Sequence, residues 1–208
     1  WNGTTYYTSG TYAWSGINAA GCDSTATLNL TINSLSFSLT IPMHNGFEIS
    51  CNGGNDGQIT INNPTGGTPP YTYSSDGGIL YGLSNSFSNL VSNSYIIFVK
   101  DDKGCTLDTT INMDEPVEFV ITYTSENPSC PNPTSISGSQ YCDGEISAVL
   151  VANDVGSIQY SLDAGALQST ALFDSLCGAI YALEAVDANG CISNSENVLL
   201  QEPPPFIY

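Results

Sequence analysis

Tyr95-Ile96-Ile97-Phe98-Val99-Lys100-Asp101-Asp102-Lys103-Gly104-Cys105 decides the fold, because its landmarks return in Tyr12 to Cys22 and again in Tyr181 to Cys191. In each copy Tyr precedes Cys by ten residues, and a large apolar residue (Trp14, Ile97, Leu183) follows the Tyr by two. Asn18, Asp101 or Asp187 follows the Tyr by six, and Gly stands immediately before the Cys. A further landmark, Phe37, Phe119 or Phe206, comes 14 or 15 residues after each Cys. Self-similarity at a fixed period marks a repeat architecture. The three cysteines lie 83 and 86 residues apart, close to the size of an immunoglobulin-like sandwich of about 100 residues.

The phase of the repeat divides the chain. Residues 1–33 read as the C-terminal part of a truncated repeat, 34–116 and 117–203 as complete modules, and 204–208 as the first strand of a following one. The segment is therefore expected to be cut from something longer. Its first 33 residues cannot bury a core alone and need strands from upstream or from another chain.

Ala26, Leu28, Leu30 and Ile32 alternate with polar residues, which is the period of a half-buried strand. The apolar parity then flips to Leu35, Phe37, Leu39 and Ile41, so one strand cannot run through Asn33-Ser34 without exchanging core for solvent. Asp114-Glu115-Pro116 and Glu202-Pro203-Pro204-Pro205 occupy the later boundaries, where proline removes ladder donors and stiffens a short linker. The polar residues are mostly Ser, Thr, Asn and Gly, which favour strands and turns over helix interiors. The expected fold is all-β: tandem immunoglobulin-like β-sandwich modules in an extended array.

Charge excludes whole classes of partner. Twenty acidic residues face only Lys100 and Lys103, giving a net charge of −18. Nucleic acid and anionic membrane surfaces would be repelled. No run approaches the roughly 20 apolar residues of a membrane span, so no membrane insertion is expected. At 41% hydrophobic residues the acidity is not that of a disordered chain.

Catalysis has little to work with. His44 is the sole histidine, and HExxH, P-loop and GxSxG patterns are absent. We expect no enzyme, no catalytic residue and no cofactor. Asp101-Asp102-Lys103-Gly104 and Asp187-Ala188-Asn189-Gly190 lie between a Tyr-led and a Cys-led strand and read as hairpin turns. Asp101 and Asp187 are weak calcium candidates as hard oxygen ligands, but neither stretch completes an EF-hand loop, and no metal is expected. Tyr6, Tyr7, Tyr71, Tyr73 and Tyr81 are available to stack on sugar rings, yet Tyr71 and Tyr73 share one strand face and read better as packing.

The middle module resembles a known family. Cys51-Asn52-Gly53-Gly54-Asn55-Asp56-Gly57-Gln58-Ile59, Gly66-Gly67-Thr68-Pro69-Pro70-Tyr71, Phe87-Ser88-Asn89-Leu90 and Asp101 to Cys105 resemble the SprB-type repeat of Bacteroidetes. The third module keeps Asp143-Gly144-Glu145-Ile146 and Asp187 to Cys191 but replaces the Gly-Gly-Pro-Pro-Tyr stretch. Trp1-Asn2-Gly3-Thr4 and Gly21-Cys22-Asp23-Ser24 are similar to a related repeat of secreted proteins in the same phylum. The resemblance implies a cell-surface adhesin of the gliding-motility type, an extracellular β-sandwich array and a type IX secretion route, and it supplies no catalytic residue. It also marks Ser24, Thr109 and Ser175, each after an Asp, as O-glycosylation candidates.

Seven cysteines without a CxxC pair point to disulfides in an oxidising compartment. Cys51 and Cys105, alone in the middle module, are expected to pair. Cys130 with Cys191 is the positional equivalent, Cys142 with Cys177 an added bridge, and Cys22 is left for a cysteine upstream. The expected function is that of spacer and assembly modules, with neighbouring modules of the polypeptide or other copies in a filament as partners. The alternative is a module that binds surface polysaccharide.

Overall fold

The structure is a computed structural model and describes residues 1–129, 142–152 and 155–204. These residues form strands joined by turns, with no helix among them. The opening hairpin is β1 (Gly10–Ile17) and β2 (Asp23–Leu30). The middle repeat contributes β3 (Ser36–Thr40), β4 (Gly57–Thr65), β5 (Thr72–Ser74), β6 (Ser86–Leu90), β7 (Asn93–Lys100) and β8 (Thr106–Met113). The last contributes β9 (Val120–Glu126), β10 (Gly144–Ala152), β11 (Gln159–Leu162), β12 (Leu172–Leu176), β13 (Ile180–Val186) and β14 (Glu196–Leu199).

The sequence repeat is a topological repeat. The middle repeat builds sheets ordered β3-β4-β6 and β5-β7-β8, and the last builds β9-β10-β12 and β11-β13-β14. Counted from the first strand of each repeat, the first, second and fourth strands make one sheet, and the third, fifth and sixth make the other. Hairpin β1–β2, which pairs Tyr12 with Leu28 and Trp14 with Ala26, supplies only the last two strands of this plan. It leaves Ile17 72% and Trp14 41% exposed.

Chain contacts group into two compact units. One comprises Trp1–Thr40, Ile61–Asn85 and Ile96–Thr110, and the other Ile41–Thr60, Ser86–Tyr95 and Ile111–Tyr208. In the second unit the two sheets of the last repeat enclose one core. Phe119 and Ile121 of the β9 side, Ile146 of β10, Leu183 of β13 and Val198 of β14 all meet in it. Period-two alternation places them there: in β10, Gly144, Ile146 and Ala148 are buried while Glu145 and Ser147 between them are half-buried. Strand β4 follows the same rule, with Gly57, Ile59 and Ile61 buried. In β7 and β13 the parity selects Ile97 and Val99, and Leu183 and Ala185. Between β2 and β3, residues 31–35 belong to no strand, which is where the apolar parity changes face.

The Asp-Gly pair that opens β4 and β10 has a physical cause. Asp56 Oδ1 accepts the Ser50 N–H at 3.1 Å, and Asp143 Oδ1 accepts the Ser129 N–H at 2.8 Å, so each aspartate ties down the loop before its strand. Each glycine then lets a neighbouring strand close in. A Cβ on Gly57 would lie 2.9 Å from the Leu90 carbonyl oxygen and 2.6 Å from Ile49 Cδ1, and one on Gly144 would lie 2.7 Å from the Leu176 carbonyl oxygen. Both strand pairs shift register directly after this residue, between Gly57 and Ile59 and between Gly144 and Ile146. Gly144→Ala is therefore expected to overpack the strand opening and destabilise the repeat by about 1–3 kcal/mol. Urea unfolding measures this, and an unchanged midpoint would contradict the close approach.

Candidate functional site

The recurring Tyr, Asn or Asp, Gly and Cys build one device three times. The tyrosine hydroxyl donates to the carbonyl oxygen four residues upstream: Tyr12 to Thr8 at 2.8 Å, Tyr95 to Val91 at 3.1 Å and Tyr181 to Cys177 at 3.0 Å. This is the logic of a tyrosine corner, which pins the entry of a strand to the loop before it.

At the far end of the strand the Asn or Asp closes the turn. Its N–H reaches the cysteine carbonyl at 2.9 Å (Asn18 to Cys22), 3.0 Å (Asp101 to Cys105) and 3.0 Å (Asp187 to Cys191). Its Oδ1 accepts the cysteine N–H at 3.0, 2.8 and 3.0 Å, and also the N–H two residues on, in Ala20, Lys103 and Asn189. Gly21, Gly104 and Gly190 take φ of 81°, 86° and 86°, which a side chain would resist. The calcium candidates Asp101 and Asp187 thus spend carboxylate oxygens on backbone amides, as a turn requires. No cluster of three or more metal-ligating side chains occurs among the described residues.

Asp101 is held further by Thr68, whose N–H reaches its Oδ2 at 2.8 Å. A Cβ on Gly67 would sit 2.6 Å from that oxygen, so Gly67, at φ 63°, opens the approach. The Thr68 bond, assisted by Cys105, Lys103 and Gly104 against the opposing effect of burial, holds the Asp101 carboxyl below its ordinary 3.8. A carboxyl depressed by folding stabilises the fold above its unfolded pKa, and that contribution is lost as pH falls through the folded value. The Asp101 turn should therefore stay closed at neutral pH and loosen only below pH 3.8. Asn18 makes the same two turn bonds with an amide oxygen, so Asp101→Asn should keep those two bonds, lose the Thr68 N–H bond that an amide nitrogen cannot accept, and abolish the acid loosening. Amide exchange at Cys105 measured against pH checks this, and identical acid profiles in the two proteins would contradict it.

The third turn is closed onto another segment. Asn189 donates from Nδ2 to the Ser50 carbonyl at 2.7 Å and to the His44 carbonyl at 3.4 Å, and Asn45 donates to its Oδ1. Next to it Cys191 is joined to Cys51, with Cα atoms 5.7 Å apart. The receiving loop is itself fixed. Gly53 N–H donates to Glu115 Oε2 at 2.9 Å, Asn52 Nδ2 to the Pro116 carbonyl at 3.0 Å, and Asp114 N–H to Glu48 Oε2 at 3.0 Å. The Asp114-Glu115-Pro116 linker is thus stitched to the Cys51 loop, and the disulfide adds the β13–β14 turn to the same assembly.

This corrects the expected pairings. Cys51 bonds Cys191 and not Cys105, whose thiol is free and exposed, as is that of Cys22. The physical reason is Asn189, which draws its turn onto the Ser50 and His44 carbonyls, whereas the Cys105 turn carries Lys103 at that position. Cys191 is therefore not the partner of Cys130, a residue that lies outside the described ones. Cys142 and Cys177 are joined, with Cα atoms 4.4 Å apart.

The remaining candidates stand apart from this site. Ser24 in β2 and Ser175 in β12 are exposed and Thr109 in β8 is half-buried, while Phe206 lies outside the described residues. Tyr6 packs on Tyr12 with ring centroids 3.9 Å apart, and Tyr7 is 83% exposed. Tyr71 donates to the Gly66 carbonyl at 2.6 Å, Tyr73 pairs with Gly82, and Lys100 Nζ sits 3.5 Å from the Tyr81 ring centroid. All of these aromatics except the exposed Tyr7 therefore work within the fold.

Two features escaped the sequence reading. Asn189 stands at a turn position that differs in every copy (Ala20, Lys103, Asn189), so nothing in the repeat singles it out. The loop after β5 holds Ile79, Leu80 and Leu83 at 85%, 75% and 80% exposure, with Asp76 accepting the Ile79 and Leu80 amides. Nothing in its spacing distinguishes these side chains from core residues.

Compared with the curated proteins, the chain has no match. The family model does find one: residues 48–78, which carry the Cys51 loop, the Asp56-Gly57 strand opening and the Gly66-Gly67 approach to Asp101, match the SprB repeat.

Proposed function

We propose that the chain is a structural repeat segment of a large extracellular surface adhesin or filament, acting as disulfide-stabilised spacer and assembly modules without catalysis. One observation carries the reading: among the described residues, the recurring Tyr, Asn or Asp, Gly and Cys build the same tyrosine corner and closed turn three times, which is the work of a structural repeat. The SprB repeat match supports a surface adhesin of this type. Export by a type IX route, a place in gliding motility and glycans on Ser24, Thr109 or Ser175 follow from the same proposal. The partners are neighbouring modules and other copies. The net charge of −18 keeps separate fibres apart at low salt. Electron microscopy of cell surfaces labelled with antibody to this chain tests it. Label along threads or multi-stranded filaments is the expected result, and label on compact particles would refute it.

A second reading, a module that grips a surface itself, draws on the exposed Ile79, Leu80 and Leu83. Binding of the protein to surface polysaccharide, lost in Leu80→Ser, would favour it.

A further inference from the structure

The bond between Cys51 and Cys191 joins residues 140 apart and closes a covalent loop around most of the two complete repeats. Of the fourteen strands formed by the described residues, β4 to β13 lie inside that loop, as does the bond from Cys142 to Cys177. The Asp114-Glu115-Pro116 linker lies inside it too. So do the buried Ile59, Ile61, Ile97 and Val99 of one repeat and Ile121, Ile146 and Leu183 of the other. Outside remain β1, β2 and β3 on one side and β14 on the other.

Tension applied at the two ends of a chain runs along its shortest covalent path. Here that path follows residues 1–51, crosses the disulfide and leaves through residues 191–208. Residues 52–190 branch off it, so end-to-end tension cannot extend them while the bond lasts. The linker is spared as well. Had each cysteine bonded within its own repeat, the linker would have carried the whole load.

The neighbouring hydrogen bonds divide in the same way. Asn189 holds the Ser50 and His44 carbonyls, which lie on the loaded stretch before Cys51, so these bonds yield before the disulfide takes the load. The bonds from Gly53 to Glu115 and from Asn52 to Pro116 have both partners inside the loop and stay closed. On the loaded stretches β14 pairs with β13 over four residues and β3 lies beside β4. Strands held by hydrogen bonds of about 1 kcal/mol net each peel away well before a covalent bond breaks.

We propose that the Cys51–Cys191 bond is a tension bypass, which carries pulling force across both repeats and keeps their buried strands and their linker out of the load path. A fibre built this way yields a limited length at its outer strands and then stops, so its modules stay folded under drag. The inference rests on the surface-fibre reading, and the two fail apart. Modules that extend fully without reductant sink the bypass and leave the fibre, whereas label on compact particles sinks the fibre and leaves the bypass as a property of the fold.

Single-molecule pulling of the full chain, tethered at both ends, tests the proposal without any substitution. The fully extended length is read first in non-reducing buffer and then with dithiothreitol, which takes each S–S bond to two thiols and leaves as a cyclic disulfide. Release of the 140-residue loop should lengthen the chain by about 50 nm, at about 3.6 Å per residue. The Cys142–Cys177 loop is nested inside and adds nothing to this figure. Equal lengths in the two buffers would overturn the proposal. So would a gain of about 41 nm or less, the most that bonds confined to single repeats can hide at the same length per residue.

Discussion

Replacing both Cys51 and Cys191 by Ser is expected to destabilise the second compact unit by about 2–5 kcal/mol and to make its unfolding less cooperative. The bond joins residues 140 apart. In the chain-entropy model a loop of that length is worth about 5 kcal/mol when the whole of it unfolds together, and less when its two ends unfold separately. The double substitution avoids a stray thiol at either end. What remains at the site is Asn189 on two carbonyls and the Glu115 contacts with Gly53 and Asn52, each a hydrogen bond worth about 1 kcal/mol net. Urea unfolding followed by near-ultraviolet dichroism should therefore show an earlier and broader transition than in the parent. An unchanged midpoint and slope would mean that the bond contributes nothing to holding the Cys51 loop against the β13–β14 turn.

Leu183→Ala should cost about 2–5 kcal/mol, the range for emptying a buried leucine site. Leu183 is fully buried in β13, opposite Leu162 of β11 and Glu196 of β14, within the core that Ile146 and Val198 share. Its surroundings come from both sheets, so the cavity cannot collapse by moving one loop. Leu199 of β14 is 53% exposed and serves as the control: its replacement by Ala should stay within about 0.5 kcal/mol. Equal effects of the two substitutions on the thermal midpoint would contradict the placement of the core.

Much of this fold is legible in the sequence for reasons of local physics. Period two sorts Ile59 from Thr60 and Leu183 from Glu184, because a strand's faces alternate whatever the rest of the chain does. The Tyr-to-Cys spacing is equally local: a corner at one end, a turn at the other and a strand between them fix how many residues intervene. Asp56-Gly57 and Asp143-Gly144 repeat visibly, although the need for glycine appears only when the Leu90 and Leu176 carbonyls are in place.

Disulfide partners are a different kind of fact. Cys51 and Cys105 bracket one module, and position within the module favours joining them. The bond that forms depends instead on a turn 140 residues away from Cys51 and on one amide, Asn189, that fits two backbone carbonyls. Carbonyl acceptors have no residue identity, so no pattern announces them. The exposed Ile79, Leu80 and Leu83 are hidden for a related reason, since a loop apolar and a core apolar are the same letters.

Non-reducing peptide mapping of the protein tests the central claim most directly, because it reads which cysteine Cys51 holds. A cross-linked pair containing Cys51 and Cys191, with Cys105 absent from it, is the predicted result. A pair containing Cys51 and Cys105 would contradict the account, returning each bond to its own module and leaving the repeats joined by the linker alone.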